Sequence, residues 1–335
     1  LSLPAMAAWA PARPIEFTVV YPAGGGMDTT ARILAKHSAK HFGTDLVVVN
    51  REGGGGLIGH AYLAAQARPD GYTVGVLATT LVSDILLNKA PFKIGDFKAI
   101  GYINETPITW VTRADSIYAK MTVKEIFEYA KANPGKINIG VIPNNGFEYT
   151  VIGAELNTNT KFTKVPFQGG APGITALLGG HIDITCAYFS EFQGHLEAGT
   201  LKAVAVASEY RDPFLPNTPT FKESGIDVPT IFGAWRFLAV PTKTPDEITT
   251  YLENSLSKAL RDPELMKAYQ AVGIVVGEPY MNAKDTQARL LEIYNETAKF
   301  YKAAIEAFGQ LNIVVASAGI IRDGTMLTLD KETGK

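Results

Sequence analysis

Gly24, Gly25 and Gly26 stand between an apolar run, Phe17–Val20, and a helix-forming run, Thr29–Phe42. A glycine turn that feeds a helix leaves main-chain N–H groups unpaired at the helix start. The partial positive charge there favours an anion such as a carboxylate. Tyr21-Pro22-Ala23 leads into the turn and Asp28 follows it, with no lysine or arginine inside. The expectation is an anion held mainly by backbone dipoles. A second turn of this kind is Gly169-Gly170-Ala171-Pro172-Gly173, after the strand-like Thr163–Pro166. Pro172 suits the first helical position, and Gly179-Gly180 suits the helix end. Two such turns, one in each of two lobes, would grip an anion from both sides.

A third glycine stretch, Gly54-Gly55-Gly56-Leu57-Ile58-Gly59, matches the dinucleotide pattern G-x-G-x-x-G. That reading needs an acid at the end of the next strand, to hold the ribose hydroxyls. The strand ends Leu77-Ala78-Thr79-Thr80 instead, which leaves a nucleotide-dependent enzyme as the rival reading rather than the first. Thr79, Thr80 and Ser83 either offer hydroxyls to a ligand or cap a helix. His37 and His41 share a helix face at a spacing that zinc accepts, but a third ligand is missing, and a solvated face is expected. Cys186 lies in an apolar strand and reads as a small buried hydrophobe. Neither a G-x-S-x-G elbow nor a Walker A pattern occurs, so the chain has no legible catalytic set. A binding protein, without cofactor or metal, is the expectation.

Asp183 opens the apolar run Ile182–Tyr188. It either holds a water that reaches a ligand or caps a backbone amide. Tyr188, Phe189 and Ser190 close that run, at the strand end where α/β proteins place ligand contacts. Trp235 is expected to pack in the core.

These residues need elements to position them. Strand and helix signals alternate along most of the chain, which argues for an α/β class. Leu46–Asn50, Tyr72–Ala78, Ile137–Val141 and Ala203–Ala207 continue the strand series. Thr122–Lys131 reads as an amphipathic helix with Val123, Ile126, Phe127 and Ala130 on one face, stopped by Asn133-Pro134-Gly135. Pro245–Leu260, with Thr244 as N-cap, and Ala283–Phe308 read as further helices. Breaks at Asn104-Glu105-Thr106-Pro107 and at Pro229 and Gly233 suggest that the chain changes lobes twice. The expected division is residues 14–107 with 230–313 in one lobe and 108–229 in an inserted second lobe. Such an arrangement makes a cleft suited to a small ligand.

A chain of 335 residues exceeds one ordinary core. Hydrophobic residues make up 46% and charged residues 19%, which is ordinary for a globular protein. The net charge of −2 and the scattered basic residues argue against nucleic acid. The single cysteine excludes an internal disulfide, which fits a reducing compartment or an exported protein that avoids cysteine. Leu1–Ala10 is small and apolar, and Ala8-Trp9-Ala10 has the form of an export cleavage site; residues 1–13 therefore read as a signal remnant or an extension. Residues 314–335 read as a polar tail. No apolar stretch is long enough to span a bilayer.

Longer stretches carry a family resemblance. They include Tyr21-Pro22-Ala23-Gly24-Gly25 with Asp28, Val49-Asn50-Arg51 with Gly53–Gly59, and Arg68-Pro69-Asp70-Gly71-Tyr72-Thr73. Ala132–Asn138, Pro166–Gly169 with Ala171-Pro172, Leu177–Asp183, Leu215–Thr220 and Glu223-Ser224-Gly225 follow in order. The chain resembles the solute-binding receptors of tripartite tricarboxylate transporters, the Bug family, from about Ile15 to Ile313. The resemblance implies a two-lobe periplasmic-binding-protein type II fold (Venus flytrap), each lobe a mixed sheet flanked by helices. It implies a periplasmic, monomeric receptor that delivers a small organic carboxylate to membrane permease subunits, or serves signalling. Carried over residue by residue, the first-lobe contacts are Tyr21, Ala23, Gly24, Gly25, Asp28, Thr79 and Thr80, and the second-lobe contacts Gly169, Gly170, Ala171 and Asp183. One stretch departs from the family pattern: Gly140–Tyr149 replaces a Gly-Ser-rich turn with bulkier residues. Asn144, Asn145, Phe147 and, at the neighbouring strand end, Tyr188 are therefore expected to shape the far end of the pocket. An aromatic or longer ligand, or one with an amine meeting Glu148, fits that departure.

Overall fold

The structure is a computed structural model, and it describes residues 9–86, 90–143, 145–167, 169–276 and 280–308. The chain runs β1 (Ile15–Val19), α1 (Gly26–Phe42), β2 (Leu46–Asn50), α2 (Leu57–Ala65), β3 (Thr73–Ala78), α3 (Thr80–Leu86) and β4 (Phe97–Asn104). It continues with β5 (Ile108–Arg113), α4 (Val123–Ala132), β6 (Asn138–Val141), α5 (Gly146–Thr158), β7 (Thr163–Pro166) and α6 (Gly170–Leu178). Then come β8 (Ile184–Ala187), α7 (Phe189–Glu197), β9 (Leu201–Ala207), β10 (Arg236–Pro241), α8 (Asp246–Ala259), α9 (Pro263–Gln270) and α10 (Ala283–Phe308).

The contacts divide the chain into two units. One holds the residues up to Asn104 with Arg236–Tyr294; the other holds Glu105–Trp235 with the part of α10 from Asn295 onward. The expected first lobe carried all of the last helix, whereas here α10 is shared.

In the first unit the strand order is β2-β1-β3-β10-β4. β1, β2 and β3 are parallel, and β10 runs antiparallel between β3 and β4. The C-terminal ends of β1 and β3 therefore lie side by side and carry the turns at Tyr21–Gly25 and Thr79. Phe17, Val19, Val74, Val76, Leu238 and Val240 are buried in this sheet, as a parallel core sheet requires. Phe17 meets Phe42 of α1 edge to face at 5.8 Å.

The second unit repeats the plan with the order β7-β6-β8-β5-β9. β6, β7 and β8 are parallel, and β5 is antiparallel to β8 and β9. Turns after β6, β7 and β8 leave from one edge. The core gathers Trp110, Phe127, Phe162 and Phe221; the Trp110 ring lies 4.9 Å from Phe221. α4 starts on a capping box in which Thr122 Oγ1 accepts from Glu125 N, and Glu125 Oε2 accepts from Thr122 N at 2.7 Å.

Two details differ from the sequence reading. α8 begins at Asp246 with Pro245 in the cap position, and Thr244 is buried without a hydrogen bond from its hydroxyl, so it caps nothing. The strand expected over Ile182–Tyr188 is confined to Ile184–Ala187: Asp183 accepts from Asn138 at the start of β6, and Tyr188 N donates to Glu191 as the N-cap of α7.

Candidate functional site

The first glycine turn is built from its own backbone. Ala23, Gly24, Gly25 and Gly26 are exposed, and α1 starts at Gly26 with Gly25 as an extended N-cap. The N–H groups at the start of α1 lack intrahelical partners and face outward with the helix dipole behind them. Gly24 is a different case. Its N–H donates to Asp28 Oδ2 at 2.8 Å and is used within the turn. Asp28 is buried, accepts from Arg32 Nε at 2.8 Å and receives Asn50 Nδ2 at 2.9 Å. Burial opposes its ionisation, but the donors Arg32, Gly24 and Asn50 outweigh burial and hold the carboxyl below its usual range. Asp28 therefore braces the turn: both of its oxygens accept from the protein itself.

Tyr21 and Thr80 join the ends of β1 and β3 through a hydroxyl–hydroxyl bond. Burial raises the Tyr21 phenol, with Thr80 and Arg236 acting against it and Asp84 with it, so the hydroxyl stays protonated. Thr79 closes the first turn of α3 by accepting from Val82 N at 2.9 Å. α3 is tied to α2 by Asp84, whose Oδ2 lies 2.9 Å from Nδ1 of the fully buried His60.

Sequence reasoning missed Arg236. It opens β10, is buried, and sets Nη2 3.3 Å from the position a β-carbon on Gly26 would take. The expectation of an anion held mainly by dipoles named no charge at the turn; in the structure a guanidinium from β10 stands at the start of α1. The available signal was a charged residue leading an apolar strand, Arg236-Phe237-Leu238-Ala239-Val240.

In the second unit Gly169 is the extended N-cap of α6, Gly170 is buried and Ala171 is exposed. The backbone at Gly170 is ordinary, and a β-carbon there would have to displace a neighbouring side chain. A β-carbon there would lie 2.3 Å from Glu191 Oε1 and 2.4 Å from Oε2. Glu191 comes from α7, where its Oε2 accepts from Tyr188 N at 2.8 Å. Asn145 caps α5, its Oδ1 accepting from Phe147 N at 3.1 Å. Asn144 lies outside the described residues. Phe147 is fully buried under Tyr188, with ring centroids 4.9 Å apart, and is a core residue. Glu148 sits half-buried in the first turn of α5.

Asp183 is not at this edge. Its Oδ2 accepts from Asn138 N at 2.8 Å and Asn138 Nδ2 at 3.1 Å, at the starts of β6 and β8. The glycine turn leaves the opposite ends of the strands, so of the two readings the capping one holds. His41 pairs with Asp262 at 2.8 Å and so ties α1 to the N-cap of α9. Among the described residues no group of three His, Cys, Asp or Glu is placed to hold a metal. The third glycine stretch is a packing device: a β-carbon at Gly59 would lie 2.6 Å from Val20 Cγ1 and 2.7 Å from Arg51 O.

The family model described as the tripartite tricarboxylate transporter family receptor matches residues 30–309. A protein encoded in the ttuE-ttuC' intergenic region of Agrobacterium vitis is 32% identical over 269 residues, covering 79% of this chain and 76% of its own. A TctC solute-binding protein from Polaromonas superposes with a TM-score of 0.76 at 33% identity, covering 87% of this chain and 99% of that one. An R. palustris protein solved with adipate gives a TM-score of 0.74 at 25% identity, covering 88% and 98%. The Polaromonas structure is described as a solute-binding protein. That of BugD, described as a periplasmic binding protein, superposes with a TM-score of 0.72 at 29% identity and covers 88% of this chain and 98% of its own; the fold of this chain is theirs. The chain belongs to the tripartite tricarboxylate transporter receptor family.

Proposed function

We propose that the chain is an extracytoplasmic receptor that captures a small organic carboxylate and hands it to the permease subunits of a tripartite tricarboxylate transporter. The observation that carries this reading is the start of α1. Gly25 and Gly26 are exposed there, ahead of the helix's own hydrogen bonds and with no side chain capping them, and the Arg236 guanidinium stands beside Gly26. A carboxylate at that place gains fixed dipoles and a cation, and no bond is made or broken. Tyr21 and Thr80 supply hydroxyls at the neighbouring strand ends. The adipate carried by the R. palustris relative supports the ligand class. No helix among the described residues is long and apolar enough to cross a membrane, which is compatible with a receptor that meets its permease from outside the bilayer.

Titration calorimetry against mono-, di- and aromatic carboxylates is the test. Saturable binding of at least one acid is expected; silence across the panel by folded protein rejects the reading. Delivery is tested separately, by ligand-dependent co-purification with the permease subunits.

A further inference from the structure

We infer that the outward face of α2, with the groove between it and β2, docks a partner protein through an apolar anchor flanked by acidic residues. The inference rests on the proposed delivery to permease subunits and gives that contact a surface. α2 contains no Asp, Glu, Lys or Arg. It buries Gly59, His60 and Leu63, and it turns Ile58, Ala61, Tyr62 and Ala65 outward at i, i+3, i+4 and i+7. A surface helix ordinarily carries its polar residues on that side. Here Ile58 is 58% exposed instead. β2 extends the same apolar character. It is the edge strand of its sheet, and Val47 is 48% exposed, although a parallel sheet is ordinarily covered on both faces. Val47, Val49 and Tyr62 line a groove of ≈370 Å³, with Arg13 and Arg68 also in its wall. Apolar surface gathered on one face, rather than scattered singly, marks a contact surface.

The charges at the groove select the occupant. Arg51 is matched by Glu16 at 3.0 Å, and its guanidinium lies 3.8 Å over the Tyr62 ring. Arg13 and Arg68 share one acid, Asp70, each at 3.5 Å, and their side chains are 51% and 78% exposed. Arg13 also stacks over Tyr72 at 3.8 Å. Three guanidiniums thus face two carboxylates, and the surplus positive charge lies on the side chains that reach solvent. A second copy docked here about a twofold axis would set arginine against arginine. An acidic segment instead meets forked donors already held by stacking, around an apolar centre with a tyrosine. The buried side of α2 adjoins the ligand edge: His60 bonds Asp84 of α3, whose Thr80 bonds Tyr21.

The test measures association with the permease subunits in lipid nanodiscs, with empty nanodiscs of the same lipids as the blank. Wild type is compared with Ile58→Glu, Arg68→Glu and Leu291→Glu, the last at an exposed apolar residue of α10 outside the groove. Circular dichroism checks the folds, and calorimetry with the carboxylate panel should give affinities within twofold of wild type. Ile58→Glu and Arg68→Glu are each expected to weaken permease association at least tenfold, and Leu291→Glu less than twofold. Either of the first two staying within twofold of wild type, or an equal loss in Leu291→Glu, overturns the inference and leaves delivery standing. Equal attachment to empty nanodiscs assigns the face to lipid. A wild-type dimer in sedimentation that Ile58→Glu dissolves assigns it to a second copy. Each of these results also overturns the inference. Absence of association by folded, acid-binding wild type rejects delivery and the inference together and leaves carboxylate capture standing.

Discussion

Arg236 and Gly26 meet at the start of α1, with Nη2 of the arginine 3.3 Å from the place of a glycine β-carbon. β10 brings the arginine there because it pairs antiparallel with β3, setting Arg236 opposite Ala78 at the strand end that adjoins the turn. On the proposed reading, a guanidinium held in that position is a counter-charge for the ligand's carboxylate. Arg236→Met is expected to weaken carboxylate binding about tenfold, or ~1.4 kcal/mol. Calorimetry at two salt concentrations checks it. Unchanged affinity would assign Arg236 to packing alone.

Asp28 braces the same turn from inside. Asp28→Asn removes a charge that accepts from Gly24, Arg32 and Asn50, and a loss of about 2 kcal/mol is expected, within the range for hydrogen bonds to a buried charge. Arg32 is half exposed, so most of that loss belongs to Gly24 and Asn50 rather than to the ion pair. The folded-state carboxyl titrates below its unfolded value. Its contribution is thus complete above the unfolded value, near pH 4, and fades as pH falls through the folded one. Urea titrations from pH 7 to pH 3 should show the wild-type advantage over Asp28→Asn shrinking below about pH 4.

How far the sequence could carry the argument differs from residue to residue. α4 was legible because its signals are local: Thr122 and Glu125 cap it, and Val123, Ile126, Phe127 and Ala130 share one face. The glycine turn at Gly24 was legible for the same reason. β10 was not, since its place between β3 and β4 is set by pairing across long stretches of chain. The place of Arg236 went with it, although a charge leading an apolar run was there to read. Asp183 and Phe147 show the complementary difficulty. Both residue types suit a binding site, and their actual surroundings depend on which strand end a side chain occupies and which ring covers it.

Asp183 offers a test that separates brace from contact. Its carboxylate serves Asn138 at the starts of β6 and β8. Asp183→Ala should cost about 1–3 kcal/mol of stability by stranding the Asn138 amide. Carboxylate affinity should stay within twofold of wild type. A selective loss of affinity with unchanged stability would return Asp183 to the binding site.

Cys186 should be inert in the folded protein. It is buried in β8, and burial pushes the thiol up to about 12, with Thr150 acting weakly the other way. A chromogenic disulfide reagent is expected to titrate no thiol at neutral pH and one equivalent after unfolding. Rapid native-state labelling would mean that β8 opens.

Gly170 and Glu191 supply the strictest check on the second turn. Gly170→Ala drives a methyl group into the Glu191 carboxylate, since Oε1 lies 2.3 Å from the new atom's place. Either the glutamate swings out and gives up Tyr188 N, or α6 shifts, at a cost of about 1–3 kcal/mol. Glu191→Ala alone loses the cap but leaves space. If the two residues are coupled through that space, the double variant loses less than the sum of the single losses, by ~1 kcal/mol or more. Chemical denaturation of all four proteins measures this. Strict additivity would mean that the carboxylate does not occupy the room left by Gly170.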